Sequence, residues 1–169
     1  MSILVQKYGG SSVSDATKIK SVALRIAESK KQGHQLAVVL SAMGDSTDQL
    51  IELAESISTN PEPRELDTLL STGELVSCTL MAMALRELGI PAISMSGAQA
   101  GIKTDTAHGR ASIVGLDANR IISILNSGTV AIVAGFQGVS EDMDITTLGR
   151  GGSDTTAVAL AAAIGAERC

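Results

Sequence analysis

Residues 36–41 read Leu-Ala-Val-Val-Leu-Ser, an unbroken apolar run that ends on a serine. Strands buried on both faces have this composition, because helices cover both sides of a parallel sheet. A second such run covers 129–134, and strand-like segments cover 3–8 and 92–95. These four segments predict the core strands of an α/β protein.

Helical patterns separate these strands. The predicted helices are 15–31 with Ser14 as its cap, 47–58, 64–88 with an interruption around 71–73, 117–126, and a last helix after Ser153. Such alternation predicts a three-layer α/β sandwich with a mostly parallel central sheet. Residues 97–115 are expected to be loop-rich with a hairpin, and 135–152 to form a long functional loop. Residues 166–169 resemble the lead-in to a further strand, so we expect the sandwich to be incomplete at its C-terminus.

Composition excludes several classes of function. The net charge is −5 and the aromatic residues are Tyr8 and Phe136 alone, which argues against nucleic-acid binding. The two cysteines lack the spacing of a metal site or a disulfide framework, so we predict no metal-binding residues and a reducing cytoplasm. No apolar stretch is expected to be long and pure enough to span a membrane.

Residues 147–157, Thr-Leu-Gly-Arg-Gly-Gly-Ser-Asp-Thr-Thr-Ala, predict an anion-binding turn. Glycines allow a sharp turn, and Ser153 or Asp154 can cap the helix that follows, whose N-terminus favours anions. Arg150 adds a planar fork that suits a carboxylate or a phosphate. The turn therefore indicates an enzyme that acts on small acidic substrates.

A second glycine-rich turn, Lys7-Tyr8-Gly9-Gly10-Ser11-Ser12, directly follows the first strand. Ligands bind outside the carboxyl ends of strands in open α/β sheets, so its N–H groups could hold phosphate oxygens and Lys7 could stabilise a transferred phosphoryl group. The alternative is a tight turn with a solvated lysine.

Two further segments carry candidate substrate ligands. Ser41 and Thr47 flank the turn after the second strand and could bind a small polar substrate, although Ser46 or Thr47 could instead be only the cap of the next helix. Glu74 lies in an otherwise apolar helix, where burial would require a partner such as a substrate ammonium group; the alternative is a solvated helix face. His108 is expected to be exposed in a polar loop, and no hydrolase triad is supported. Three polar loops at one sheet edge predict a kinase that works by positioning and electrostatics.

Five motifs in order along the chain resemble those of aspartokinase, a member of the amino acid kinase fold. They are Lys-Tyr-Gly-Gly-Ser-Ser at 7–12, Val-Val-Leu-Ser-Ala-Met-Gly at 38–44, Leu-Leu-Ser-Thr-Gly-Glu at 69–74, Ala-Gly-Phe-Gln-Gly at 134–138, and the turn at 147–157. The resemblance implies phosphorylation of the β-carboxylate of L-aspartate by ATP, with Mg²⁺ carried by the nucleotide. That reaction opens the synthesis of lysine, threonine, methionine and isoleucine.

The resemblance also implies roles for individual residues. Lys7 would stabilise the transferring phosphoryl group, with Gly9, Gly10 and Ser11 at the phosphate turn and Asp154 orienting Lys7. The residues implied for aspartate are Ser41, Thr47, Glu74 facing the ammonium group, Phe136, Arg150 facing a carboxylate, Gly151 and Ser153.

Members of the family continue past the motifs seen here, into an ATP-binding half with a second catalytic lysine and then regulatory ACT domains. We therefore expect 1–169 to be the substrate-binding portion of the domain, inactive when tested alone, and the full-length enzyme to be a homo-oligomer. Two alternatives stay open: a kinase of glutamate or carbamate, or a non-catalytic fragment that binds an amino acid or another chain.

Overall fold

A parallel four-stranded sheet forms the centre of the computed structural model, which describes residues 2–169. The strands are Ile3–Tyr8 (β1), Gln35–Leu40 (β2), Ala92–Met95 (β3), Ile102–Thr104 (β4), Ile113–Leu116 (β5), Val130–Ala134 (β6), Gln137–Val139 (β7) and Ile145–Thr147 (β8). The central sheet has the order β1-β2-β6-β3, and all its neighbours are parallel. β2 and β6 occupy its middle, which explains their apolar sequences.

Two helical layers cover the sheet. The helices are Ala16–Lys31 (α1), Ser46–Ile57 (α2), Pro63–Glu87 (α3), Asn119–Asn126 (α4) and Gly152–Ala163 (α5). Alternate residues of β2 point to opposite faces, so Val38 packs with α1 and α3 while Val39 packs with α4 and α5. The predicted three-layer α/β sandwich with a mostly parallel sheet is confirmed.

The other four strands form a smaller second sheet. Its order is β5-β4-β7-β8, with β4 pairing antiparallel to β5 and β7 antiparallel to β8. The hairpin predicted within 97–115 is thus present as β4 and β5. The prediction of one long loop over 135–152 was wrong, because residues 137–139 and 145–147 pair as short strands.

α3 is continuous, so the predicted interruption around 71–73 was wrong. Ser71 and Thr72 donate their hydroxyl protons to carbonyls one turn earlier, at 2.8 and 2.7 Å, and the helix keeps its course. Gly73 serves packing instead: a Cβ there would lie 2.9 Å from the Cβ of Ala42. By length and composition α3 could also cross a membrane, contrary to the sequence prediction, and half of its most apolar window is buried inside the protein.

The N-terminal cap of α1 differs from the prediction. The cap of α1 is Asp15, whose Oδ1 accepts from the N–H of Lys18 at 2.9 Å, so the assignment to Ser14 was wrong.

Near the last residue, Arg168 forms a parallel bridge with Leu4, and its carbonyl accepts from the N–H of Val5 at 2.9 Å. Residues 167–168 therefore run along the outer edge of β1, as a strand lead-in would.

Candidate functional site

A cleft of about 480 Å³ opens at the carboxyl ends of β1, β2 and β6. It is lined by Lys7, Gly9, Gly10, Ser41, Ala42, Gly44, Thr47, Asp48, Ile51, Leu70, Glu74, Phe136, Gly149, Arg150, Gly151, Gly152, Ser153 and Asp154. All the residues predicted to bind the substrate or the phosphate, or to act in catalysis, line the cleft except Ser11. The five motifs, which are far apart in sequence, therefore come together in one place.

Lys7 extends from the end of β1 to the start of α5. Its Nζ lies 2.8 Å from Oδ1 of Asp154, and the lysine side chain is about one quarter exposed (26%) while the aspartate is mostly exposed (71%). The aspartate thus holds the ammonium group at the wall of the cleft and leaves it accessible from the cleft. This is the arrangement expected if Asp154 orients Lys7.

The turn after β1 approaches the turn after β2 closely. The N–H of Gly44 donates to the carbonyl of Gly10 at 3.0 Å, and a Cβ on Gly10 would lie only 2.7 Å from the carbonyl oxygen of Ala42. A side chain on Gly10 would therefore force the two turns apart. Ser11 lies on the other side of this turn, beside a smaller surface cavity, where its carbonyl accepts from Nζ of Lys18 at 3.0 Å.

Glu74 is a buried carboxyl group at the bottom of the cleft. Glu74 is 3% exposed, and its Oε1 accepts from the N–H of Ala42 at 3.1 Å. Its Oε2 has no hydrogen-bond partner among residues 2–169. Burial raises the pKa of Glu74 from 4.5 to about 7, against the smaller lowering effect of the Ala42 hydrogen bond. The solvated-face alternative is thus wrong, and the group is suited to a cationic partner from the cleft.

The turn between β8 and α5 forms the opposite rim. Gly149 and Gly151 both have positive φ, 78° and 75°, which glycine adopts without strain. α5 begins at Gly152 with Gly151 at the cap position and no side-chain cap, so the predicted capping by Ser153 or Asp154 was wrong. The uncapped N-terminus of this helix leaves its positive end toward the cleft, where it favours an anion.

Phe136 and Ser153 shape the wall beneath this turn. Phe136 has φ of 71°, and its N–H donates to Oγ1 of Thr156 at 3.1 Å, which anchors the residue after β6 to α5. Ser153 packs on Gly135, and a Cβ added to Gly135 would lie 2.7 Å from Oγ of Ser153. A Cβ on Gly152 would likewise meet the Phe136 ring at 3.0 Å, so glycines set how closely α5 approaches β6.

Two side chains at the mouth of the cleft remain open to a ligand. Arg150 is exposed, and within residues 2–169 it takes part in no salt bridge. Thr47 lies in the first turn of α2 and lines the cleft. The cap position is Asp45, so the alternative that Ser46 or Thr47 is only the cap was wrong. Asp48 also lines the cleft, which was not predicted because a single exposed carboxylate in a helix carries no sequence signal.

A polar cluster behind the turn was also missed. Asp67 of α3 is 1% exposed, and its carboxylate accepts from Nδ1 of His108 at 2.9 Å and from the hydroxyl of Thr147 at 2.6 Å. The expectation that His108 is an exposed loop residue was wrong, because only about a fifth of its side chain is exposed (19%). The three residues lie up to 80 positions apart, so no local pattern could have joined them.

No group of three or more His, Cys, Asp or Glu side chains in the described part of the chain is arranged to hold a metal ion. The cleft carboxylates Asp48, Glu74 and Asp154 do not form a protein cage for a cation.

Comparison with known proteins places the chain in a family. The model of the amino acid kinase family matches residues 2–169. The aspartokinase of Mycobacterium tuberculosis is 56% identical over 170 aligned residues, which cover the whole of this chain and 40% of that protein. The chain thus spans about two fifths of the length of the curated relatives it matches.

Solved structures show the same architecture. Aspartate kinase from Synechocystis superposes with a TM-score of 0.84 at 51% identity, covering 97% of this chain and 27% of that one. Escherichia coli aspartokinase III in complex with aspartate and ADP superposes with a TM-score of 0.87 at 29% identity, covering 98% of this chain and 48% of that one.

Proposed function

Because the chain belongs to the amino acid kinase family, we propose that it forms the amino-acid-binding part of an aspartate kinase, which transfers the γ-phosphoryl group of ATP to the β-carboxylate of L-aspartate. One observation carries the proposal: the buried, unpartnered Oε2 of Glu74 belongs to a cleft whose opposite rim carries Arg150. An anion and a cation on one small molecule would satisfy both groups. The similarity of the chain to aspartokinases supports this choice.

The substrate is held at both charged ends. The ammonium group of L-aspartate pairs with Glu74, which ionises when that partner arrives, and Arg150 pairs with a carboxylate. Ser41 and Thr47 donate from the side of β2 and α2, while Phe136, Gly151 and Ser153 close the wall under the turn. Each of these residues lines the cleft.

Phosphoryl transfer uses Lys7 and the turn that follows it. The β-carboxylate oxygen attacks the γ-phosphorus in line, the bond from that phosphorus to the bridging oxygen breaks, and ADP leaves with the electron pair. Lys7, held by Asp154, stabilises the negative charge on the transferring group, with Gly9 and Gly10 lining the same side. No general base is required, because an aspartate carboxylate is already ionised at neutral pH.

Further parts of the proposal concern the setting of the reaction. Mg²⁺ bound to the phosphates of the nucleotide would neutralise part of their charge. The product, an acyl phosphate, serves amino-acid biosynthesis in the cytoplasm, and the longer enzyme is a homo-oligomer. We expect residues 1–169 alone to bind the amino acid without normal turnover, since the chain covers 40% of the M. tuberculosis relative.

The experiment is a calorimetric comparison of L-aspartate, L-glutamate and carbamate binding to the 169-residue chain, followed by a coupled ATPase assay. Saturable binding that favours L-aspartate, with little or no turnover, is the expected result. Tighter binding of L-glutamate or carbamate would assign another amino acid kinase, and binding of none would favour a non-catalytic interaction fragment. Normal ATP-dependent turnover by this chain would contradict the proposed division of the active site.

A further inference from the structure

The Asp67 cluster joins three parts of the chain behind the cleft. Both carboxylate oxygens of Asp67 are used: Oδ1 accepts from the Thr147 hydroxyl, and Oδ2 accepts from the Thr147 N–H at 3.1 Å and from the His108 ring at 2.9 Å. The N–H of Gly109 lies 3.0 to 3.1 Å from both oxygens. A buried carboxylate held by this many donors is fixed in one orientation, since each lost donor would leave an unpaired buried group.

The donors belong to the segments that support the Arg150 turn. Thr147 is the last residue of β8, directly before the turn, and its carbonyl accepts from the N–H of Ala111 at 2.8 Å. The carbonyl oxygen of Gly109 lies 3.2 Å from where a Cβ of Gly149 would stand. The loop at 105–112 therefore supports the turn from behind, and Asp67 holds both the loop and the strand.

Asp67 and Glu74 lie on the same face of α3. They are seven residues apart, which is two helical turns and about 10 Å along the axis. Between them, the carbonyl of Ser71 accepts from Nε2 of Gln137 at 2.8 Å, a further buried tie between α3 and the second sheet. One stretch of rigid helix thus carries Glu74 at one end and the anchor of the Arg150 turn at the other.

We propose that Asp67, through Thr147 and His108, is a positioning residue that sets the span between Glu74 and Arg150 and thereby selects the length of the amino acid. The inference rests on the proposed function, because it takes these two residues as the groups that hold the substrate. Asp67 itself does not line the cleft and touches no substrate. Loosening this cluster weakens L-aspartate binding and reduces the preference for L-aspartate over the longer L-glutamate.

The test compares Asp67→Asn and Thr147→Val with two controls. Thr147→Val removes the hydroxyl donor at similar volume, whereas Thr147→Ser keeps it. Asp144→Asn removes another carboxylate that ties α3 to the β7–β8 hairpin, since Arg64 Nε lies 2.7 Å from Asp144 Oδ1, but Asp144 does not line the cleft. Asp144→Asn therefore removes one negative charge, as Asp67→Asn does, and affects a contact between the same elements. It does not alter the contacts that support the Arg150 turn.

We expect Asp67→Asn and Thr147→Val to weaken L-aspartate binding by roughly tenfold and to reduce the aspartate-to-glutamate preference, since small displacements of binding groups have large effects. Thr147→Ser and Asp144→Asn should stay within about twofold of the original chain. Hydrogen exchange should speed up at 148–152 in the first two variants and stay unchanged in β2, which excludes general unfolding as the cause. If Asp67→Asn fails to fold, the Thr147 pair gives the answer alone.

Equal affinity and equal preference in Thr147→Val and Thr147→Ser would overturn the inference. So would a loss of affinity in Asp144→Asn as large as in Thr147→Val. If the original chain binds neither amino acid, the proposed function itself fails and the inference fails with it. The two failures are therefore distinguished by the original chain.

Discussion

Replacing Glu74 with glutamine removes a carboxyl group that the unliganded protein holds in its neutral form at mildly acidic pH. Burial at 3% exposure raises the pKa of Glu74 to about 7, compared with 4.5 for the group in water. The folded chain therefore binds a proton more tightly at this site than the unfolded chain does. Glutamine has nearly the same shape and cannot titrate, so this substitution isolates the effect of the charge.

The sign of the effect follows from proton linkage. A group whose pKa is raised on folding contributes its full stability below the unfolded value, and this contribution is lost as the pH rises through the folded value. The difference between the two values is about 2.5, so the free energy of unfolding should fall by roughly 3 kcal/mol as the pH rises from about 4.5 to above 7. Glu74→Gln should lack this decline.

The assay is urea unfolding of both chains across this pH window, with and without L-aspartate. At about pH 8 L-aspartate should stabilise the original chain, because its ammonium group pairs with the ionised Glu74. It should stabilise Glu74→Gln much less, since an amide offers no charge. Parallel pH curves for the two chains would refute the account of Glu74 as a buried group that awaits a cation.

Three further substitutions test the cleft residues Arg150 and Asp154 and the packing of Gly73 on Ala42. Gly73→Ala places a Cβ 2.9 Å from the methyl group of Ala42, so the free energy of unfolding in urea should fall by roughly 1–3 kcal/mol. In the control Gly115→Ala the new Cβ meets nothing within 4 Å, so this loss should be absent. An equal loss in the control would contradict the packing argument. Arg150→Lys should weaken L-aspartate binding by about tenfold in calorimetry, because lysine cannot form a bidentate pair with a carboxylate. The control Arg120→Lys, at an exposed arginine outside the cleft, should have no effect. Equal weakening in the two variants would exclude Arg150 as a ligand. Asp154→Asn should change the free energy of unfolding by less than about 1 kcal/mol, since its ion pair with Lys7 is mostly exposed on the aspartate side, and a larger loss would assign that pair a structural role.

The central sheet could be predicted from sequence because its signal is local. The apolar runs at 36–41 and 129–134 belong to strands whose residues are buried on both faces of the sheet. The short strands β7 and β8 were missed, because three-residue strands show too little alternation to separate them from a loop. α3 was predicted with a break because polar hydroxyls and a glycine suggest one, whereas bonds within the helix satisfy the hydroxyls.

Most of the cleft residues could be predicted because they lie in short motifs, either at strand ends or, for Glu74, in an otherwise apolar helix. The sequence did not reveal the contacts between elements that hold those motifs in place. Gly135 and Gly152 take part in close packing of α5 on β6, which depends on distances between elements. The Asp67 cluster joins positions 67, 108 and 147, and each of these residues alone is an ordinary polar residue of a helix, loop or strand.

The most direct test of the central claim follows the Glu74 carboxyl carbon by NMR while L-aspartate is added to the chain. Slightly below its pKa of about 7, this group is mostly protonated in the unliganded chain. The account predicts that its resonance moves to the position of an ionised carboxylate on saturation, with accompanying shifts at Arg150. A protonated Glu74 resonance that does not move while L-aspartate binds would contradict the claim that this buried carboxylate binds the substrate ammonium group.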